Sequence, residues 1–397
     1  MISRRTLLGG VTLGAAAPFL GPPLAAAAGG FGPGSATTRS AVPSALPVTV
    51  LNRRPDRPLF AHVMGRDAVG WTFLAADGRT AVHPVPSGSG LAPLAVPTGI
   101  RVPAGGTATL RLPPMSSGRV FLAVGRPLEF FVAADGGIAT PSAANADDPN
   151  AGVEWGFCEF TFDEFGLYAN ITMVDFVALA VGLQLQTATG QQAVGGLVPG
   201  GLAAIAAGLA SRRGWNELVV TRGGVPTRVL SPNRLGPAGA LTGYLDPYID
   251  QVWSRYRQTD LVVDTQSRWG RLTGRVGADG RLRFAGAGSF DRPSTHAVFN
   301  CSVAPFVTAN DVMGNLSARL AAAFNRGTLL ANSHQPDATA DAFYRSPLTN
   351  HYARLVHESM AGGAGYAFPY DDVHADGYNT EGRVVDPAPR RLTILAG

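Results

Sequence analysis

Hydrophobic and polar positions alternate with a period of two through the first half of the chain. Alternation of this kind, in short runs bounded by glycine or proline, predicts β-strands. The predicted strands are LPVTVLNRR, LFAHVMG, GWTFLAA, GTATLRL, GRVFLAVG and LEFFVAA. No helical period occurs before about residue 195. The first half is therefore predicted to be all β.

Four later segments have the period of an α-helix. They are GGLAAIAAGLASRR, YLDPYIDQVWSRY, DVMGNLSARLAAAFN and the segment Asn350 to Met360. Pro247 falls in the first turn of the second helix, where proline is tolerated. Asn310 is the predicted N-cap of the third helix and Gly327 its stop. The end of the chain, with GYAFPYDDV and RRLTILAG, returns to turn and strand.

This order predicts a mainly β chain with an α/β region inserted into a β domain. The predicted β domain covers 46–193, the α/β domain 194–346, and the return to the β domain 347–397. Gly and Pro together are frequent, with 50 and 30 residues, and they show no fixed period, which indicates a fold with many turns.

The N-terminus has the features of an export signal. A charged start, an apolar run from Leu7 to Leu20 and small residues up to Ala28 predict a signal peptide over 1–28. The sequence SRRTLL resembles a twin-arginine signal, although general secretion stays open. Residues 29–45 are predicted to be a flexible lead. We expect a secreted, extracellular protein with no membrane span.

Composition excludes several other classes of function. All 32 basic residues are arginine, but no basic run alternates with aromatics as a nucleic-acid groove requires. The seven histidines have no paired spacing, so no metal site is expected. The two cysteines, Cys158 and Cys301, are predicted to be buried thiols, with a single disulfide as the alternative.

The segment EFTFDEFGLYANITMVDF, Glu159 to Phe176, has four carboxylates in what is otherwise a pair of strands. Alternation puts Glu159 and Thr161 on a polar face opposite the apolar one. Asp175 shares the phase of the apolar positions of the second strand. Because an unpaired buried carboxylate is costly, we expect the strand to end or bulge near Val174, or Asp175 to face a cleft.

Two interpretations of these acids are open from the residues alone. The first is a polar sheet face on a solvated edge. The second is a pair of carboxylates for glycoside hydrolysis, in which one protonates the departing sugar oxygen and the other activates water or attacks the anomeric carbon.

The motif EFTFDEFGLYANITMVDFVAL resembles glycoside hydrolase family 64, the laminaripentaose-producing β-1,3-glucanases. Further segments resemble the same family, and together they cover about residues 46 to 397. These segments are LPVTVLNRR, VLSPNRL, YLDPYIDQVWSRY, NHYARLVHESMAGGAGYAFPYDDV and DPAPRRLTILAG. The resemblance implies a thaumatin-like β-barrel or sandwich domain, a mixed α/β domain and a wide groove between them.

The same resemblance implies an inverting hydrolase of β-1,3-glucan that needs no cofactor and acts as a monomer. It places the general acid at Glu159 and the general base at Asp175. It also implies a set of side chains that contact the substrate: Thr161, Asp163, Tyr168, Asn170, Thr172, Asp371 and Asp372. Two alternatives remain: a thaumatin-like protein that binds glucan without cleaving it, and an exported structural protein of the cell wall.

Overall fold

The structure is a computed structural model, and it describes residues 42–337, 339–375 and 380–397. The predicted signal peptide and residues 29–41 of the predicted lead lie outside the described residues. Within the described part, no helix is both long and apolar enough to cross a membrane.

Strands dominate the described residues, and they are numbered here along the chain. They are β1 Leu46–Asn52, β2 Leu59–Arg66, β3 Trp71–Leu74, β4 Ala81–Val82, β5 Leu91–Pro93, β6 Ile100–Val102, β7 Thr107–Leu112, β8 Met115–Val124, β9 Phe131–Ala133, β10 Ile138–Ala139, β11 Trp155–Asp163, β12 Gly166–Ile171, β13 Phe176–Val177, β14 Val181–Gln186, β15 Gln191–Val194, β16 Val219–Arg222, β17 Val225–Leu230, β18 Leu261–Asp264, β19 Arg271–Val276, β20 Leu282–Phe284, β21 Gly288–Phe290, β22 His334–Gln335, β23 Arg383–Asp386 and β24 Arg391–Ala396. All six of the predicted strands are present.

The α-helices of the described residues are α1 Gly201–Ala210, α2 Asp246–Gln258, α3 Thr295–Asn300, α4 Val312–Arg326 and α5 His351–Ser359. The four predicted helices are confirmed, and α3 was not predicted because six residues are too few to show a period. Pro247 lies in the first turn of α2, as expected. Asp311, rather than Asn310, caps α4 by accepting a hydrogen bond from the Gly314 amide.

Two open sheets form the β-rich part of the fold. The first has the order β15-β14-β24-β1-β7, so the last strand lies between strands from the first half of the chain. β24 is parallel to β1 and antiparallel to β14. This pairing confirms that the C-terminal strand completes a sheet begun by the N-terminal part. The domain boundaries themselves stay a prediction.

The second sheet has eight strands, in the order β23-β12-β11-β8-β2-β3-β4, with β6 paired to β2. Its apolar face is formed on β11 by Cys158, Phe160 and Phe162, each at most 3% exposed. The alternate positions Glu159 and Thr161 are half-buried on the other face. The alternation predicted for this strand is confirmed.

A third group of elements lies between β15 and β23 in chain order. A five-stranded sheet, β21-β20-β19-β18-β22, accompanies α2 and α4. Helix α2 buries Tyr248 and Val252 on one side, as its period predicted. Gly327 ends α4 with a φ of 70°, a left-handed conformation that suits glycine at this position.

Candidate active site

A tight hairpin between β11 and β12 carries most of the predicted site. Glu164 and Phe165 form its turn, and Asp163 accepts a hydrogen bond from the Phe165 amide at 2.9 Å. Gly166 then starts β12 with a φ of +119°. A Cβ at Gly166 would overlap the backbone of Asp386 on β23, so only glycine lets these strands approach so closely.

Glu159 lies near the centre of the eight-stranded sheet, opposite Asn170 on β12 and Arg119 on β8. The Nε and Nη2 atoms of Arg119 donate hydrogen bonds to Oε1 of Glu159, at 3.2 and 3.1 Å. The Arg119 guanidinium also lies 5.0 Å from the centre of the Phe157 ring. The Glu159 side chain is 28% exposed, so it is held in place and still reaches solvent.

Asp175 follows β12 in a bend of the chain. β12 ends at Ile171, and β13 begins only at Phe176, so Asp175 lies outside both strands. A strand that continued through Asp175 would have directed its carboxylate into the core. The carboxylate of Asp175 forms an ion pair with Arg234, and its backbone carbonyl accepts a hydrogen bond from Ser231 at 2.9 Å. Its side chain is 24% exposed. The expectation of a strand end near Val174 is confirmed.

The other predicted substrate contacts divide by exposure. Thr161, Asp163 and Tyr168 are half-buried around the hairpin. Asn170 and Thr172 are only 5% and 6% exposed. The side-chain amide of Asn170 donates a long hydrogen bond to the Ile171 carbonyl, and the Thr172 hydroxyl accepts a long hydrogen bond from the Val174 amide. The structure therefore leaves the first three accessible to a ligand, while the last two present only small areas.

Asp372 lies near Tyr366 and near Tyr168, which is opposite Thr161 on β11. The Tyr366 hydroxyl donates to Asp372 at 3.3 Å. Burial, followed by the charge of Glu381, raises the pKa of Asp372. Burial, and then the carboxylates of Asp372, Glu381 and Glu159, raise the pKa of Tyr168 far above its ordinary value. The half-buried Asp372 therefore remains a candidate for substrate contact.

The prediction that Asp371 contacts substrate is wrong. Its side chain is fully buried, and its carboxylate pairs with Arg326, which is 2% exposed, at 2.9 Å. The second carboxylate oxygen accepts from Nε2 of His357 at 2.8 Å and from the Ala367 amide at 2.9 Å. Adjacent acids in a turn point in different directions, and the sequence does not show which one faces inward. Asp371 serves to hold its segment onto α4 and α5.

Replacement of Asp371 by asparagine is expected to destabilise the protein by about 3–5 kcal/mol, because the buried guanidinium of Arg326 would lose its counter-charge. Urea unfolding measures this change. The control is Glu358→Gln, which removes an exposed pair with Arg354 on α5 and should cost under about 1 kcal/mol. Equal, small changes for both variants would contradict the role given to Asp371.

The same network predicts how stability depends on pH. Burial disfavours the charge on Asp371, but His357, Arg326 and the Ala367 amide together lower the pKa of Asp371. Burial likewise opposes a charged His357, but Asp371 and the Gly363 carbonyl outweigh it and raise the pKa of His357. The Asp371 contribution is present above about pH 3.9 and is lost as the pH falls through its lowered pKa. The His357 contribution is present below about pH 6.5 and is lost as the pH rises through its raised pKa.

Both cysteines are buried free thiols, which settles the alternative left open by the sequence. Burial, with the charge of Glu159, raises the pKa of Cys158 to about 12. Cys158 faces the core side of β11, away from the face that carries Glu159. In the described part of the chain, no group of three or more His, Cys, Asp or Glu side chains is arranged to hold a metal ion.

Two arginines of the site were missed from the sequence. Arg119 and Arg234 each pair with one of the two proposed catalytic carboxylates. The alternation of GRVFLAVG could have placed Arg119 on the polar side of its strand. Its partner depends on which strand lies beside β8 and in what register. The pattern of a single strand predicts neither.

The family model described as beta-1,3-glucanase, glycoside hydrolase family 64, matches residues 44–396. Two curated proteins named glucan endo-1,3-beta-glucosidase come from Cellulosimicrobium cellulans and from Arthrobacter sp. (strain YCWD3). Each is 35% identical to this chain over 355 residues, which are 86% of this chain and 64% of the relative. The chain therefore spans less than two thirds of the length of these relatives.

Solved structures of the same family share the fold. A laminaripentaose-producing beta-1,3-glucanase, crystallised in complex with laminaritetraose, is 34% identical with a TM-score of 0.80, over 89% of this chain and 99% of that one. A beta-1,3-glucanase domain from Clostridium beijerinckii is 23% identical with a TM-score of 0.71, over 91% and 100% of the two chains, and supports the fold alone. From the family model and these relatives, the chain belongs to glycoside hydrolase family 64.

Proposed function

We propose that this protein is an exported hydrolase that cleaves β-1,3-glucan with inversion and releases short oligosaccharides such as laminaripentaose. The observation that carries the proposal is the likeness, at 34% identity and a TM-score of 0.80, to an enzyme crystallised with laminaritetraose. The half-exposed carboxylates of Glu159 and Asp175 on neighbouring segments of the chain supply the groups that such a reaction needs.

Glu159 is the general acid in this mechanism, and it protonates the oxygen of the departing sugar. Asp175 is the general base, and it takes a proton from the water that attacks the anomeric carbon from the opposite side. An inverting enzyme needs a separation of roughly 6.5–9.5 Å between its carboxyl groups to leave room for that water. Because β12 ends at Ile171, Asp175 is not directed to the apolar side of the sheet, and its partly exposed carboxylate can hold a water apart from Glu159.

Arg119 and Arg234 hold the two carboxylates in separate orientations. Arg119 approaches Glu159 through two nitrogens and is itself stacked on Phe157, so the Oε1 atom of Glu159 is occupied and Oε2 is left for the leaving group. Arg234 pairs with Oδ1 of Asp175 and leaves Oδ2 for water. Each arginine thereby positions one carboxylate and selects which of its oxygens reacts.

The substrate would lie in a groove between a thaumatin-like β domain, which carries the hairpin, and the α/β domain. Thr161, Asp163, Tyr168 and Asp372 are the accessible side chains for sugar hydroxyls and apolar sugar faces, and Asn170 and Thr172 would contribute at the edge. No cofactor takes part, because the acid and the base together perform the whole reaction.

Release of new reducing ends from laminarin and curdlan by the purified protein tests this function. Hydrolysis with short oligosaccharides as products is the expected result. Glucan that co-sediments with the protein while no reducing ends appear would overturn the proposal, and would support a glucan-binding protein without catalysis.

A further inference from the structure

A row of side chains crosses the eight-stranded sheet beside Glu159. Thr161 on β11 faces a bulge in β8, where the extra residue puts both Ser116 and Ser117 opposite it. Ser116 lies opposite Arg66 on β2, and Arg66 lies opposite Trp71 on β3. Directly opposed residues share one face of a sheet. These five residues, the cross-strand row, therefore lie on the face that also carries Glu159.

The cross-strand row is open to solvent. Ser116, Ser117 and Arg66 are exposed, while Thr161 and Trp71 are half-buried. Farther along the same strands the face is closed, because Phe130 packs on His62 and Phe121 with ring centres 5.2 and 5.4 Å apart. The row spans three strand spacings from β11 to β3, about 14 Å. It is thus an accessible strip that starts at the proposed active site.

Arg66 and Trp71 form a flat platform at the far end of the row. The guanidinium carbon of Arg66 lies 4.7 Å from the centre of the Trp71 ring. Among the described residues, Arg66 has no ion-pair partner, so its planar set of N–H donors is unused. Arg66 is the more exposed of the two, so the guanidinium forms the outer layer and the indole supports it.

We propose that the cross-strand row binds further glucosyl units of the β-1,3-glucan chain whose cleaved bond lies at Glu159, with Arg66 and Trp71 as the terminal subsite. This inference rests on the proposed function and deepens it. The polymer is uncharged and rich in hydroxyls. Serine and threonine hydroxyls, a guanidinium that is not paired with a carboxylate, and an aromatic edge match that chemistry. Because the row is continuous with the proposed active site, one chain can occupy both.

Chain-length dependence of hydrolysis tests this subsite in the full protein. Arg66→Ala should lower kcat/KM for laminarin about tenfold, by loss of one stacked and hydrogen-bonded sugar. The shortest laminarioligosaccharide that the wild type cleaves cannot reach the platform, so its kcat/KM should change by no more than about twofold, within the ordinary scatter of surface substitutions. Equal changes for both substrates, or none for laminarin, would overturn the proposal.

A second variant separates binding from stability. Ser116→Trp adds bulk at an exposed position in the middle of the row, and it should likewise impair hydrolysis of laminarin but not of the shortest substrate. The control is Arg111→Ala, an exposed arginine on β7 of the five-stranded sheet, which should leave both unchanged. Impairment of laminarin hydrolysis by Arg111→Ala equal to that by Arg66→Ala would also overturn the proposal.

The test distinguishes this inference from the proposed function. If the wild-type protein cleaves laminarin, but kcat/KM of Arg66→Ala depends on the length of the substrate as it does for the wild type, the function stands and the subsite is wrong. If wild-type protein cleaves nothing, the function fails. The subsite is then decided by laminarin affinity in calorimetry, where an unchanged affinity for Arg66→Ala would overturn it.

Discussion

Glu159→Gln is expected to lower kcat on laminarin by roughly 10²–10⁴, the usual contribution of a general acid. Glutamine keeps the size of the side chain and can still accept a hydrogen bond from Arg119, but it cannot supply a proton to the departing oxygen. Binding of glucan should persist, because the sheet around Glu159 is unchanged. Initial rates of reducing-end release and the affinity for laminarin measure the two effects separately.

A substrate whose leaving group needs no proton provides the control for this prediction. In a laminaribioside with a dinitrophenyl aglycone, the dinitrophenolate leaves without being protonated. Glu159→Gln should therefore hydrolyse this substrate far better than it hydrolyses laminarin. Glu164→Gln, an exposed acid in the turn of the same hairpin, should behave as wild type on both. Full activity of Glu159→Gln on laminarin would show that Glu159 is not the acid.

Asp175→Ala is expected to lower kcat by a similar factor, roughly 10²–10⁴, because the attacking water loses its base. A better leaving group should not restore this activity, since nucleophilic attack is then the deficient step. Azide, a nucleophile that needs no deprotonation and fits the space left by the carboxylate, should restore turnover and give a glycosyl azide. Product analysis with and without azide measures both.

Loss of an ion pair alone cannot account for such an effect. Asp175 pairs with Arg234, and both side chains are partly exposed, so the cost in stability should be under about 1 kcal/mol. Asp250 on α2 forms a comparable exposed ion pair with Arg292, and Asp250→Ala, which breaks it, should keep full activity. If the Asp175→Ala protein is folded and fully active, Asp175 is not the general base.

Much of the hairpin was predictable because it is governed by local rules. The alternation on β11 assigned Cys158 to the core and Glu159 to the open face, and the structure agrees. The phase of Asp175 conflicted with its charge, and that conflict correctly indicated the end of β12. Helix periods and the stop at Gly327 were equally local. Local sequence patterns therefore sufficed wherever a residue's environment is set by its own strand or helix.

The remaining features depend on contacts between distant segments. Arg119 reaches Glu159 only because β8 lies beside β11 in one particular register. Asp371 is buried because Arg326, 45 residues earlier, supplies a counter-charge inside the fold. The platform of Arg66 and Trp71 likewise depends on the pairing of β2 with β3. Registers and buried partners of this kind are properties of the assembled sheet, and no single segment specifies them.

Proton NMR of the first product from laminarin decides whether Glu159 and Asp175 act as a separate acid and base. Inversion predicts that the new reducing end appears first as the α-anomer and reaches the equilibrium mixture only by later mutarotation. Initial appearance of the β-anomer would contradict the mechanism, because one carboxylate would then have to act as a nucleophile.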